Sequence, residues 1–152
     1  MFKQYNPFEI TGIILCVSII LNILIKNDEE KASVLIADDW VLLRTAAINL
    51  DNTLLTLDHY NEAPPVKKIV QTNRKGAFVV QDGWRLTLYT SKKANTLLGG
   101  DEHNVSLIPV KINNSLKWIC VTKGTENVYT LPKNTNWKAS NISNKLLPIT
   151  CR

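Results

Sequence analysis

The sequence predicts an α+β protein: a long N-terminal helix, membrane-embedded in its first part, packed on an antiparallel sheet of about four strands with a C-terminal disulfide loop. Three observations lead there. Residues Phe8 to Ile25 form an apolar run of 18 residues with one charge, Glu9. A 4-3-4-3 stripe follows at Ile36, Trp40, Leu43, Ala47, Leu50, Leu54 and Leu57. After Pro64–Pro65 the texture changes to short alternating runs separated by Gly and Asn.

At about 1.5 Å per residue the apolar run reaches roughly 27 Å, close to the hydrocarbon thickness of a thin bilayer. A signal peptide would end in small residues, whereas Asn22, Ile23, Leu24, Ile25 and Lys26 stand there. A core helix this apolar would need a larger globule around it. Lys3 and the amino terminus precede the run, and Asp28, Glu29 and Glu30 follow it. Basic flanks stay in the cytoplasm, which places the rest of the chain across the membrane, although Lys26 lies on the wrong side.

The stripe calls for a helix that continues to about Tyr60, because no Gly or Pro interrupts the chain between Gly12 and Pro64. Four strands are expected beyond it. Phe78–Val80 ends at the turn signal Asp82–Gly83, and Trp84, Leu86 and Leu88 alternate with polar partners. Val105–Val110 and Leu116–Thr122 form the other pair, joined at Asn113–Asn114. The expected segments are thus a leader-like 1–7, an apolar helix 8–25, its amphipathic continuation 26–62 and a sheet domain 63–152.

Of three cysteines, Cys16 lies inside the apolar run, while Cys120 and Cys151 stand near the carboxyl end. An isolated pair in a translocated domain is most simply a disulfide. Closing a loop of about 30 residues stabilises a fold by roughly 3–4 kcal/mol in the chain-entropy account.

Charge is lopsided. Residues 27–62 carry eight acids against Lys31 and Arg44, whereas residues 66–93 carry seven bases against Asp82 alone. Such a chain suits copies that touch through opposite faces, although a solvated surface explains most charge runs and is the default. Catalytic chemistry finds no footing. His59 and His103 match no metal spacing, and no phosphate loop, zinc motif or nucleophile elbow occurs. No cofactor is expected.

Two stretches resemble one family. The first is the apolar N-terminal helix with a single Glu at its start, Glu9, running into an amphipathic half. The second is LLGGDEHNVSLIPVKINNSLKWIC (Leu97 to Cys120) together with the ending LLPITCR (Leu146 to Arg152). Both are similar to type IV pilins, in which a Lys-Trp-x-Cys-like strand and a terminal Leu-Pro-x-x-Cys close the domain. The resemblance covers the two ends of the chain well and residues 61–96 poorly.

That resemblance implies a structural subunit, a minor or atypical pilin held in the inner membrane and then packed helically into an extracellular filament. Adhesion, twitching motility or DNA uptake would be its service. It implies other pilin subunits and the pilus assembly machinery as partners. It also implies that Glu9 meets the terminal amine of a neighbour, with processing and methylation at a Gln4–Tyr5 junction. Gln4 departs from the family's Gly, Tyr5 from its Phe, and Pro7 falls where the helix should be regular. Trp137, flanked by Lys133 and Lys138 inside the cysteine-bounded loop, is the aromatic placed for contact with a host surface, a partner subunit or DNA. Two other readings stand beside it: a pseudopilin of a secretion system, and a solitary inner-membrane protein with a periplasmic binding domain.

Overall fold

A computed structural model describes residues 7–54, 67–113, 115–122, 125, 128–129, 139–148 and 151 of the 152-residue chain, without the side chains of residues 7–13, 52–54, 111, 115 and 116. The expected α+β architecture is present. Helix α1 spans Pro7–Leu54, 48 residues and roughly 72 Å. Pro7 is its first residue, where a missing N–H removes no intrahelical bond.

The sheet is an antiparallel meander in the order β1-β2-β3-β4-β5. Its strands are Lys67–Thr72, Phe78–Asp82, Arg85–Tyr89, Asn104–Ile112 and Ser115–Cys120. It therefore has five strands where about four were expected. The additional one is β1, sequence KKIVQT, an edge strand with three of its first residues exposed. An edge carrying Lys67 and Lys68 repels further strands, and for the same reason it lacks the alternation that marks a buried strand. A short helix α2, Lys92–Leu97, was likewise not expected. It closes against Gly99 and Gly100, both at positive φ.

One face of the sheet holds the main core. Val79, Leu86, Leu88, Val105 and Leu107 meet Ile36, Leu43, Ala46 and Ala47 of α1, all buried. Burying a Leu or Ile side chain contributes about 1.5–3 kcal/mol, so this seam docks the second half of α1. Of the expected helix stripe, Ile36, Leu43 and Ala47 are buried, and Trp40 and Leu50 pack against them half-buried. The side chains of Leu54 and Leu57 lie outside the described residues. A smaller cluster of Ile108, Val110 and Val121, with Ile119 and Tyr129, occupies the opposite face at β4–β5.

Cys120 and Cys151 are joined by a disulfide with Cα atoms 5.2 Å apart. The returning chain also secures the start of β4. Asn141 Oδ1 accepts the Asn104 N–H at 2.7 Å, and Ser140 Oγ accepts the Ser106 N–H at 3.1 Å. These contacts replace β5 where that strand has ended, opposite Leu107.

Candidate functional site

Helix α1 has two characters. From Ile14 to Ile25 every large apolar residue is exposed, between 50% and 63%. From Ala32 onward one side is buried on the sheet. Two polar residues interrupt the first stretch, and both turn inward on the helix itself. Ser18 Oγ donates to the Ile14 carbonyl at 2.9 Å, and Asn22 Nδ2 donates to the Ser18 carbonyl at 2.9 Å. With their donors satisfied by the backbone, these residues ask little of a surrounding solvent. Among the described residues, no helix is long and apolar enough to cross a membrane. Phe8 to Ile13, the opening third of the expected span, have no described side chains.

The junction between the two halves is tied down by charge. Glu29 pairs with Lys145 at 2.6 Å, linking α1 to the 3-10 turn Asn144–Leu146. Asp38 pairs with Lys75 at 2.8 Å, in the β1–β2 turn. The hydrogen bond to Asp38, and then the charge of that carboxylate, hold the Lys75 ammonium above the usual lysine value. Between these lies Asp39, fully buried. Its Oδ2 accepts the Ser91 N–H at 2.9 Å and its Oδ1 accepts Asn73 Nδ2 at 3.0 Å. Asn73 Oδ1 in turn accepts the N–H groups of Lys75 and Ala77. One carboxylate thus fixes the β1–β2 turn and the entry to α2 against the helix.

Where α1 leaves the β4–β5 side of the sheet, a groove of about 260 Å³ opens. Trp40, Arg44, Ile48 and Asp51 line it from the helix, and Trp118 and Cys120 from β5. Among the described residues, the buried Trp118 Nε1 has no hydrogen-bond partner. Trp84, expected in the core, is buried at 4% exposure.

The residues picked out in the sequence fare unequally. Cys120 and Cys151 come together as expected, and Cys16 is free and exposed. Glu9 lies within α1, but its side chain is not described. Gln4, Tyr5, Lys133, Trp137 and Lys138 lie outside the described residues. Among the described residues, no cluster of His, Cys, Asp or Glu could hold a metal ion. Asp39 escaped sequence reasoning, although a lone acid at an apolar stripe position is the kind of signal that could have found it.

No protein family, curated protein or solved structure matches the chain.

Proposed function

We propose that this chain is a structural subunit of a pilin-type filament, held in a membrane through residues 8–25 before assembly and through the same helix in the filament core afterward. One observation carries the reading. A single helix is docked on a sheet along its second half, while residues 14–25 stand exposed throughout and are apolar apart from Ser18 and Asn22. A helix that is hydrophobic all round needs an apolar surrounding. Lipid supplies it for a stored subunit, and the helices of neighbouring subunits supply it in a filament. Ser18 and Asn22, satisfied by their own backbone, fit either surrounding. In this reading Glu9 is the polar exception, a carboxylate in an apolar bundle that needs a cation, and the terminal amine of a neighbour is one. Adhesion, twitching motility or DNA uptake is the service such a filament performs.

The test is biochemical. Filaments sheared from the surface of cells producing the chain should contain it, with the leader removed and the new amino terminus methylated when read by mass spectrometry. Recovery only from the membrane fraction, with Met1 intact, would sink the filament reading and leave a solitary membrane-anchored domain.

A further inference from the structure

The sheet domain meets α1 close to where the apolar stretch ends. Ile25 closes the exposed apolar run, and Lys26 to Lys31 follow it as unbroken helix. Glu29 already holds Lys145 of the turn Asn144–Leu146, and Ala32 is fully buried. Four residues of helix carry the chain from Ile25 to Glu29, roughly 6 Å along the axis. Thirteen carry it from Ile25 to Asp38, which holds Lys75, roughly 20 Å. No Gly or Pro stands between Ile25 and Asp38, so the helix has no hinge there.

We infer that the turn Asn144–Leu146 lies in the phospholipid headgroup layer of the membrane that holds residues 8–25, so that the domain sits on the bilayer without a stalk. The inference rests on the membrane half of the proposed reading. Magnitudes decide the depth. A headgroup layer is about 5–8 Å thick on each side of the hydrocarbon, so the level of Glu29 and Lys145 falls inside it and the level of Asp38 and Lys75 falls outside. Chemistry agrees with that depth. Ser143, Asn144 and Lys145 are exposed and polar, whereas Leu146 turns in against the core. Such a face suits phosphates and water and would be costly in hydrocarbon. Charge at this level is balanced, with Lys26, Lys31 and Lys145 against Asp28, Glu29 and Glu30. An excess of bases would select anionic lipids, and here there is none, so zwitterionic headgroups suffice. The turn is also firmly held. Asn141, just before it, accepts the Asn104 N–H and donates to the Glu102 carbonyl, and Cys151, just after it, is bonded to Cys120. Contact with the headgroups therefore fixes the height and tilt of the whole sheet.

Fluorescence quenching by spin-labelled lipids tests this on the full chain, in a Cys16→Ser background, reconstituted into phosphatidylcholine vesicles. Three variants, Leu21→Cys, Asn144→Cys and Arg74→Cys, each carry an environment-sensitive dye on the introduced thiol. Arg74 is exposed in the β1–β2 turn, beside the Lys75 that pairs with Asp38. A nitroxide on the lipid headgroup should quench the Asn144 dye severalfold more strongly than the Arg74 dye. A nitroxide in the middle of the acyl chain should quench the Leu21 dye and spare the Asn144 dye. Replacing part of the phosphatidylcholine by phosphatidylglycerol should leave the Asn144 result unchanged. If the Leu21 dye is quenched but the Asn144 dye behaves like the Arg74 dye, the inference is overturned and the membrane reading stands. An Asn144 dye quenched from mid-chain as strongly as the Leu21 dye would place the turn in hydrocarbon and overturn the inference too. So would headgroup quenching at Asn144 that needs phosphatidylglycerol. A Leu21 dye that neither nitroxide reaches would remove the membrane reading and the inference together.

Discussion

The buried carboxylate of Asp39 accepts the backbone N–H of Ser91 at 2.9 Å, joining the middle of α1 to the entry of α2 across 52 residues of sequence. The side chain of Ser91, the residue before α2, makes no capping bond of its own. The same carboxylate holds Asn73, whose Oδ1 organises the β1–β2 turn. A charge removed from water is tolerated only with such partners. Asp39 is therefore a structural pin between two layers, placed where the helix stripe would otherwise carry a hydrophobe.

Replacing it should be costly. Asp39→Ala strands a buried N–H and an amide, and should destabilise the domain by about 2–4 kcal/mol. Asp39→Asn keeps one acceptor and should cost less. Urea denaturation of the full chain in detergent, followed by tryptophan fluorescence, checks both. An Asp39→Ala midpoint equal to that of the parent would remove the pin from this account.

The disulfide should act on a different region. Replacing Cys120 and Cys151 by Ser opens a loop with a sequence separation of 31 and should cost about 3–4 kcal/mol in the chain-entropy account. Loosening should begin where the returning chain meets β4. Hydrogen exchange should accelerate at the amides of Asn104 and Ser106, which donate to Asn141 and Ser140, before it does in α1. Non-reducing peptide mapping should recover Cys120 linked to Cys151, with Cys16 alkylated without reduction.

Lys75 gives a pH dependence of known sign. Its ammonium is held above the ordinary lysine value of 10.5, first by the hydrogen bond to Asp38. The folded state thus binds the proton more tightly than the unfolded state. The stabilisation is complete below 10.5 and is lost as pH rises through the raised value. The pair is exposed, so the effect is small. Lys75→Met should flatten the alkaline limb of a melting-temperature profile taken between about pH 8 and 11.5, and should leave the neutral region nearly unchanged.

What the sequence disclosed follows from where the information is local. The helix was legible because its stripe runs without Gly or Pro. β2 and β3 announced themselves through Asp82–Gly83 and the alternation of Trp84, Leu86 and Leu88, all three of which are buried. The β4–β5 hairpin turns at Asn113, whose φ of 48° is the conformation Asn tolerates best after Gly. β1 was hidden because an edge strand with Lys67, Lys68 and Gln71 has no apolar rhythm. α2 was hidden because six residues show less than two turns. Asp39 was hidden for a third reason: its partners, Asn73 and Ser91, come near only once the layers pack. Gln4, Tyr5 and the Lys133–Trp137–Lys138 group lie where the described residues give nothing to compare.

Glu9 bears most directly on the proposed filament. Glu9→Val should leave the sheet domain folded, because the residue lies near the start of α1, more than 20 residues before the docked segment that begins at Ala32. It should ease membrane insertion, since a charge costs about 2–3 kcal/mol near the centre of a span and less near its end. Filament entry should nevertheless fall sharply, because an apolar bundle offers the terminal amine of a neighbour no other carboxylate. Glu9→Gln separates charge from shape: it keeps the size and a hydrogen-bonding oxygen and removes the anion. If pairing with an amine is what matters, Gln should fail nearly as badly as Val in filament yield, measured by immunoblot of sheared surface material against total cell content. If instead both variants enter filaments as well as the parent does, Glu9 is an ordinary residue at the membrane interface.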